Sequence, residues 1–177
     1  MKIVKKLGPI LGYIFLIACN QKAEPEEYLI PAGFAGKVNI LFGRSDGAAK
    51  AYKDGRRVYK IPANGILVTP FSATAGFIDR KYYSVDSGGR RRALEVFKSE
   101  LNSDGSIRWL VDDTTRKGIF LDGTSGQYGT AGDARAVQFE EFVVSSKEML
   151  DSFFTKEYLR AFDDRIEKAT GLTLNLK

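Results

Sequence analysis

Cys19 is the single thiol of a 177-residue chain that contains no histidine. Those two facts remove most of the side-chain chemistry that proteins use. A Ser-His-Asp triad, a Cys-His nucleophile, a zinc finger and axial haem ligation all need residues this chain lacks, and a disulfide needs a second cysteine. What remains is the chemistry of carboxylates, lysine, serine and tyrosine. Two acidic pairs, Asp112-Asp113 and Glu140-Glu141, cannot each serve as a glycosidase dyad. Neighbours on a strand point to opposite faces, whereas the two carboxyls must lie about 5 to 9 Å apart across one cleft. No local motif pairs a serine with a lysine base, so the expectation is a protein without catalytic residues. The alternative is an envelope hydrolase that uses carboxylate residues in a cleft.

Three further stretches offer binding chemistry. The glycine-rich run "LDGTSGQYGTAGD" lacks the lysine-plus-hydroxyl ending of a phosphate loop, so no nucleotide is expected. Asp122 and Asp133 within it are oxygen donors of the kind Ca²⁺ takes, but their spacing is not that of an EF-hand, so neither a metal nor another cofactor is expected. Arg90, Arg91 and Arg92 follow Gly88-Gly89 and make a flexible cationic tip suited to an acidic partner, a phosphate or an anionic headgroup. The plainer reading, favoured here, is a solvated hairpin edge whose charges oppose aggregation. Tyr82, Tyr83, Trp109 and Tyr128 could stack on a sugar or peptide, though aromatic residues in strands more often fill a core.

At the start of the chain, Lys2, Lys5 and Lys6 precede an uncharged apolar run from Leu7 to Ala18, the layout of a signal peptide. The run is too short for the roughly 20 apolar residues that a bilayer core demands. Its end, Leu16-Ile17-Ala18-Cys19, resembles the bacterial lipobox. The resemblance implies cleavage between Ala18 and Cys19 and acylation of Cys19, which would then begin the mature protein. Each buried methylene contributes about 0.8 kcal/mol, so two or three chains hold where one does not. The expected partner is therefore a membrane, reached through lipid, and the expected location is the cell envelope, at the outer membrane. Lys2, Lys5 and Lys6 account for three of the formal net charge of +5, leaving a chain near neutrality after cleavage. Without a concentrated basic surface, no nucleic-acid partner is expected.

Residues 19–27 end in "NQKAEPEE", too polar to bury and read as a lipidated tether. From Tyr28 the pattern is of short β-rich runs between turn signals, the signature of an antiparallel β-sandwich. Val38, Ile40 and Phe42 alternate on one face; Asp54-Gly55 suits a tight hairpin; Tyr59 and Ile61 share a face, as do Val137, Phe139 and Val143 if a bulge lies near Glu141. The period then lengthens. Ser145 with Glu148 has capping-box spacing, Thr155 is a second cap, and Phe153, Phe154, Leu159, Phe162 and Ile166 form a helical stripe that ends at Gly171. The organisation expected is thus a signal peptide over 1–18, a tether over 19–27 and one mainly β domain over 28–177 with C-terminal helices from about 146.

"YLIPAGFAGKVNILF", "RVYKIPANGILVT", "KYYSVD", "GIFLDGTSGQYG" and "FEEFVVSS" occur in that order between Tyr28 and Ser146. Together they resemble a family of uncharacterised bacterial lipoprotein domains common in Bacteroidetes, with LIPxGxxG, IPxNGILxT and DGTxG motifs. The resemblance implies a β-rich fold and a lipid-anchored location, and brings no activity or site with it. The resulting expectation is a non-catalytic binding or assembly module of the envelope, with another envelope protein as a further partner.

Overall fold

Tyr28 and Ile30 on one strand and Val38 and Ile40 on the next are fully buried and meet in a single core cluster. Those strands belong to different sheets, and this sets the architecture. The computed structural model describes residues 23–130 and 132–174; the signal segment with Ala18 and Cys19 lies outside them. Strand β1 (Glu26–Pro31) sits in the first sheet and β2 (Gly36–Leu41) in the second. The chain returns through the hairpin of β3 (Tyr52–Lys53) and β4 (Arg56–Lys60), crosses to β5 (Ile66–Val68), and returns again with β6 (Arg80–Val85) and β7 (Arg91–Leu94).

Because each crossing brings the chain back in the same direction, β1 runs parallel to both β4 and β6, and β2 parallel to β5. The first sheet has the order β3-β4-β1-β6-β7. The second adds an antiparallel pair, β10 (Gly118–Tyr128) and β11 (Val137–Ser145), in the order β10-β11-β2-β5. A separate hairpin, β8 (Lys98–Leu101) with β9 (Ile107–Leu110), projects beside them. The fold is the mainly β sandwich that the alternation implies, with parallel pairings among the antiparallel ones. Asp54 and Gly55 both have positive φ, 50° and 73°, as the β3–β4 turn requires.

Three boundaries differ from the sequence reading. Glu26 and Glu27, read as the end of a tether, are strand residues of β1, 1 % and 8 % exposed. Polarity argues for solvent only when a carboxylate has no partner, and both have arginine partners. The glycine-rich run is strand as far as Tyr128, so β10 is twice the length of an ordinary strand. Ser145 caps no helix; it ends β11, fully buried, and helical structure begins with a 3-10 helix at Leu150–Phe154 rather than near 146.

Helix α1 (Lys156–Thr170) starts at the expected cap, where the Tyr158 amide donates to Thr155 Oγ1 at 3.2 Å. It stops at Gly171, whose φ of 70° suits a left-handed C-cap. The outer face of the second sheet is covered by this segment. Phe162 and Ile166 pack on Leu41, Ile66 and Val137, while Leu150 and Phe153 join Phe97, Phe120 and Val143. Phe154 leaves the stripe and is 40 % exposed. Truncating Phe162 to alanine is expected to cost about 3–5 kcal/mol in urea denaturation. A loss below about 1 kcal/mol, the range of surface changes, would mean that the helix is detachable from the sheet.

Candidate functional site

Glu26, Tyr28 and Ile30 alternate on β1, so the first inward side chain of the central strand is a carboxylate. It is met by Arg80, the first inward residue of the neighbouring β6. The Arg80 guanidinium lies 3.5 Å from Glu26, 3.1 Å from Glu140 on β11 and 3.9 Å from Asp122 on β10. The hydroxyl of Tyr59 donates to Glu26 at 3.1 Å, and that of Tyr28 sits between Glu26 and Glu140, 3.2 Å from the latter. Tyr82 donates to Asp122 and stacks on Tyr28 with ring centroids 4.6 Å apart. Three carboxylates, one guanidinium and three phenols therefore join both sheets at the end of the sandwich where β1 begins.

Asp122 reaches this cluster through a bulge. Pairing slips between Phe120, opposite Val143, and Thr124, opposite Glu141, and Leu121 and Gly123 adopt φ of 57° and 80°. The irregularity is in β10 across from Phe142, one strand away from the position near Glu141 that the sequence suggests. The carboxylates Glu140 and Glu141 do face opposite sides: Glu141 pairs with Lys37 at 3.0 Å under α1.

Burial pulls the Arg80 pKa down, yet Glu140 and the surrounding phenol oxygens outweigh it and hold the guanidinium charged. Burial, then the nearby carboxylates, pushes the Tyr28 phenol well above its ordinary range, so it remains a donor. Burial also raises Glu140, more than Arg80 lowers it. Glu140 borders a shallow groove of about 450 Å³ shared with Phe42 and Phe139. Glu26 does not line this groove. The ion pairs of the cluster tie the first sheet to the second.

A different place presents charge to solvent. Arg90, Arg91 and Arg92 line a groove of about 890 Å³ between the β7 edge and the segment from Asp113 to Lys117. Their roles diverge. Arg90 pairs with Asp86 in the turn at 2.8 Å. Arg91 pairs with the buried Glu27 and lies 5.8 Å over the Tyr83 ring. Arg92 has no ion pair among the described residues. Across the groove Arg116 pairs with Glu95 at 2.8 Å, and Lys117 donates to the Phe34 carbonyl. Five cations thus face three carboxylates, Asp86, Glu95 and Asp113. β7 is the edge of its sheet, and among the described residues its outer side has no strand partner. An edge of this kind accepts an extended segment by backbone pairing, with charge choosing an acidic one.

The other candidates disperse. Asp122 belongs to the interior cluster and Asp133 pairs with Arg135 at 3.1 Å, so no shared ion site joins them. Tyr82 is core, Tyr128 accepts a hydrogen bond from the Asn39 side-chain amide at 2.8 Å and stacks on Phe139 at 4.3 Å, and Trp109 packs edge-on against Phe120. Ala18 and Cys19 lie outside the described residues. Sequence reasoning missed the Glu26–Arg80–Glu140 cluster, although the in-face alternation of Glu26 with Tyr28 and Ile30 was visible. It also missed that Asp113 to Lys117 faces Arg90–Arg92, a long-range approach with no local signal.

The raised Glu140 pKa has a definite sign. The folded state binds its proton more tightly than the unfolded state, so this contribution is fully present below the ordinary carboxylate value near 4.3 and is lost as pH rises through the folded value. Urea denaturation across that window is expected to show wild type losing stability relative to Glu140→Gln as pH rises. A difference that does not change with pH would contradict the assignment.

Residues 22–153 match a family described as "Family of unknown function (DUF6843)". No curated protein matches the chain. Among solved structures, the crystal structure of a protein from Bacillus anthracis named "Putative Lipoprotein" superposes with a TM-score of 0.53 at 15 % identity, covering 85 % of this chain and 99 % of the other. At that identity the likeness is one of fold.

Proposed function

This chain belongs to the DUF6843 family of unknown function, and we propose that it is a lipid-anchored protein of the bacterial cell envelope, at the outer membrane, acting as a non-catalytic binding module. The observation that carries the reading is Cys19 at the end of the apolar run from Leu7, seven residues before the first strand residue, Glu26. The name of the Bacillus anthracis structure is in keeping with it. The ligand-binding part of the proposal is the cationic groove. Its Arg90 turn follows the C-terminal end of β6, whereas the chain from Cys19 joins at the N-terminal end of β1, which β6 parallels. Lipid on Cys19 therefore leaves the groove at the end away from the bilayer, open to an acidic segment of another envelope protein. The rival, a carboxylate hydrolase, needs two acidic groups free to act on one opening; Asp86 and Glu95 share the cationic groove with Asp113, but each is engaged by an arginine there, which favours the binding reading.

Mass spectrometry of the protein from envelope fractions is expected to find acyl chains on Cys19 and none on the Cys19→Ser variant. Acyl label persisting on the serine variant would sink the anchor. For the groove, an extended acidic peptide is expected to bind in a salt-sensitive manner, and Arg92→Ala to weaken it about tenfold, the worth of one charge-assisted hydrogen bond. Binding that ignored both salt and Arg92 would contradict the groove as its site.

A further inference from the structure

Phe77 is 100 % exposed, beside the partly buried Ile78, on the loop that leads into β6. A lone exposed apolar side chain is ordinary; its place in the fold is not. The amide of Glu26 donates to the carbonyl of Asp79 at 2.9 Å, and Arg56 donates to the carbonyls of both. These bonds tie the base of the Phe77 loop, the start of β1 and the Asp54-Gly55 hairpin into one end of the first sheet. That is the end where the chain from Cys19 joins the domain. Seven residues span at most about 25 Å, so lipid on Cys19 would keep this end, and not the Pro31 and Val85 end, close to the bilayer.

The composition of the end suits that surface. Lys50, Lys53 and Lys81 are exposed around it. Arg56 and Arg57 are balanced there by Asp79 and Glu24, so with Asp54 the surplus is positive. Tyr52, 55 % exposed, stands on the same hairpin. An aromatic tip ringed by lysines is the chemistry of the headgroup boundary, where amphipathic rings settle and cations meet anionic lipid. Building on the lipid anchor proposed above, we infer that the Phe77 loop is a second membrane contact. Phe77 enters the interface between headgroups and acyl chains, Lys53 and Lys81 engage anionic headgroups, and the domain is held at a fixed tilt rather than swinging on its tether.

The acylated protein provides its own test, because lipid occupies the thiol of Cys19 and Phe77→Cys then supplies the one free thiol. An environment-sensitive fluorophore is placed there, and separately on Ser87→Cys at the opposite end, in acylated protein reconstituted into vesicles of phosphatidylethanolamine and phosphatidylglycerol. The expected result is a blue shift and loss of most emission to a lipid-phase quencher for the label at position 77, with neither for the label at position 87. A water-like label at position 77 on protein with verified acylation overturns this inference and leaves the anchor intact. A label shielded but untouched by the lipid quencher points to a protein contact and overturns it too. Absence of acyl chains on Cys19 removes the anchor and, with it, the second contact.

Discussion

Three charged side chains, Glu26, Arg80 and Glu140, set largely inside a sandwich of about 150 residues constrain everything around them. A buried ion loses several kcal/mol of hydration, and removing one partner of such a pair typically costs about 3–5 kcal/mol. Arg80 is therefore obliged to find Glu26 in its own sheet and Glu140 and Asp122 in the opposite one. The requirement specifies register as well as proximity. A slip of one residue on β1 would turn Glu26 outward and Glu27 into the core, away from Arg80 and the tyrosine hydroxyls. Apolar contacts between Tyr28, Ile30, Val38 and Phe142 supply most of the driving force, but they tolerate misalignment better than the charges do.

The same interaction positions both surfaces through which the protein would act. On one side, the backbone of Glu26 bonds Asp79 and fixes the loop that presents Phe77. On the other, β6 carries the chain from Arg80 to the turn at Asp86, so the Arg90–Arg92 segment lies a strand length away. Arg91 reaches back to Glu27, linking the groove to the outer face of β1. With lipid on Cys19, as proposed, the start of β1 would face the membrane and the cationic edge would lie at the opposite end, open to a partner.

Much of this was legible locally. The Asp54-Gly55 turn, the caps at Thr155 and Gly171, and the shared face of Tyr59 and Ile61 follow from backbone chemistry within a few residues, and all stand in the structure. What escaped depends on contacts across the chain. Glu26 and Glu27 read as tether because their arginine partners lie 54 and 64 positions away. The parallel pairings of β1 escaped because turn signals mark where a strand ends and not which sheet the next one joins. Strand β10 was hidden by glycines that read as loop, yet at Gly126 a side chain would collide with the Phe139 ring, 2.8 Å from the position of a Cβ. The site residues divide the same way: Arg90 to Arg92 were visible as a run, whereas Arg116 and Lys117 across the groove were not.

The most direct measurement of the central claim is a double-mutant cycle on Arg80 and Glu140, read by urea denaturation at neutral pH. Arg80→Met alone leaves buried carboxylates without their cation and is predicted to cost about 3–5 kcal/mol. Adding Glu140→Gln to it should recover part of that loss, giving a coupling of more than about 1 kcal/mol between the two sheets. Losses that simply add, or an Arg80→Met variant as stable as wild type, would contradict the claim that this interior charge cluster holds the sandwich in register.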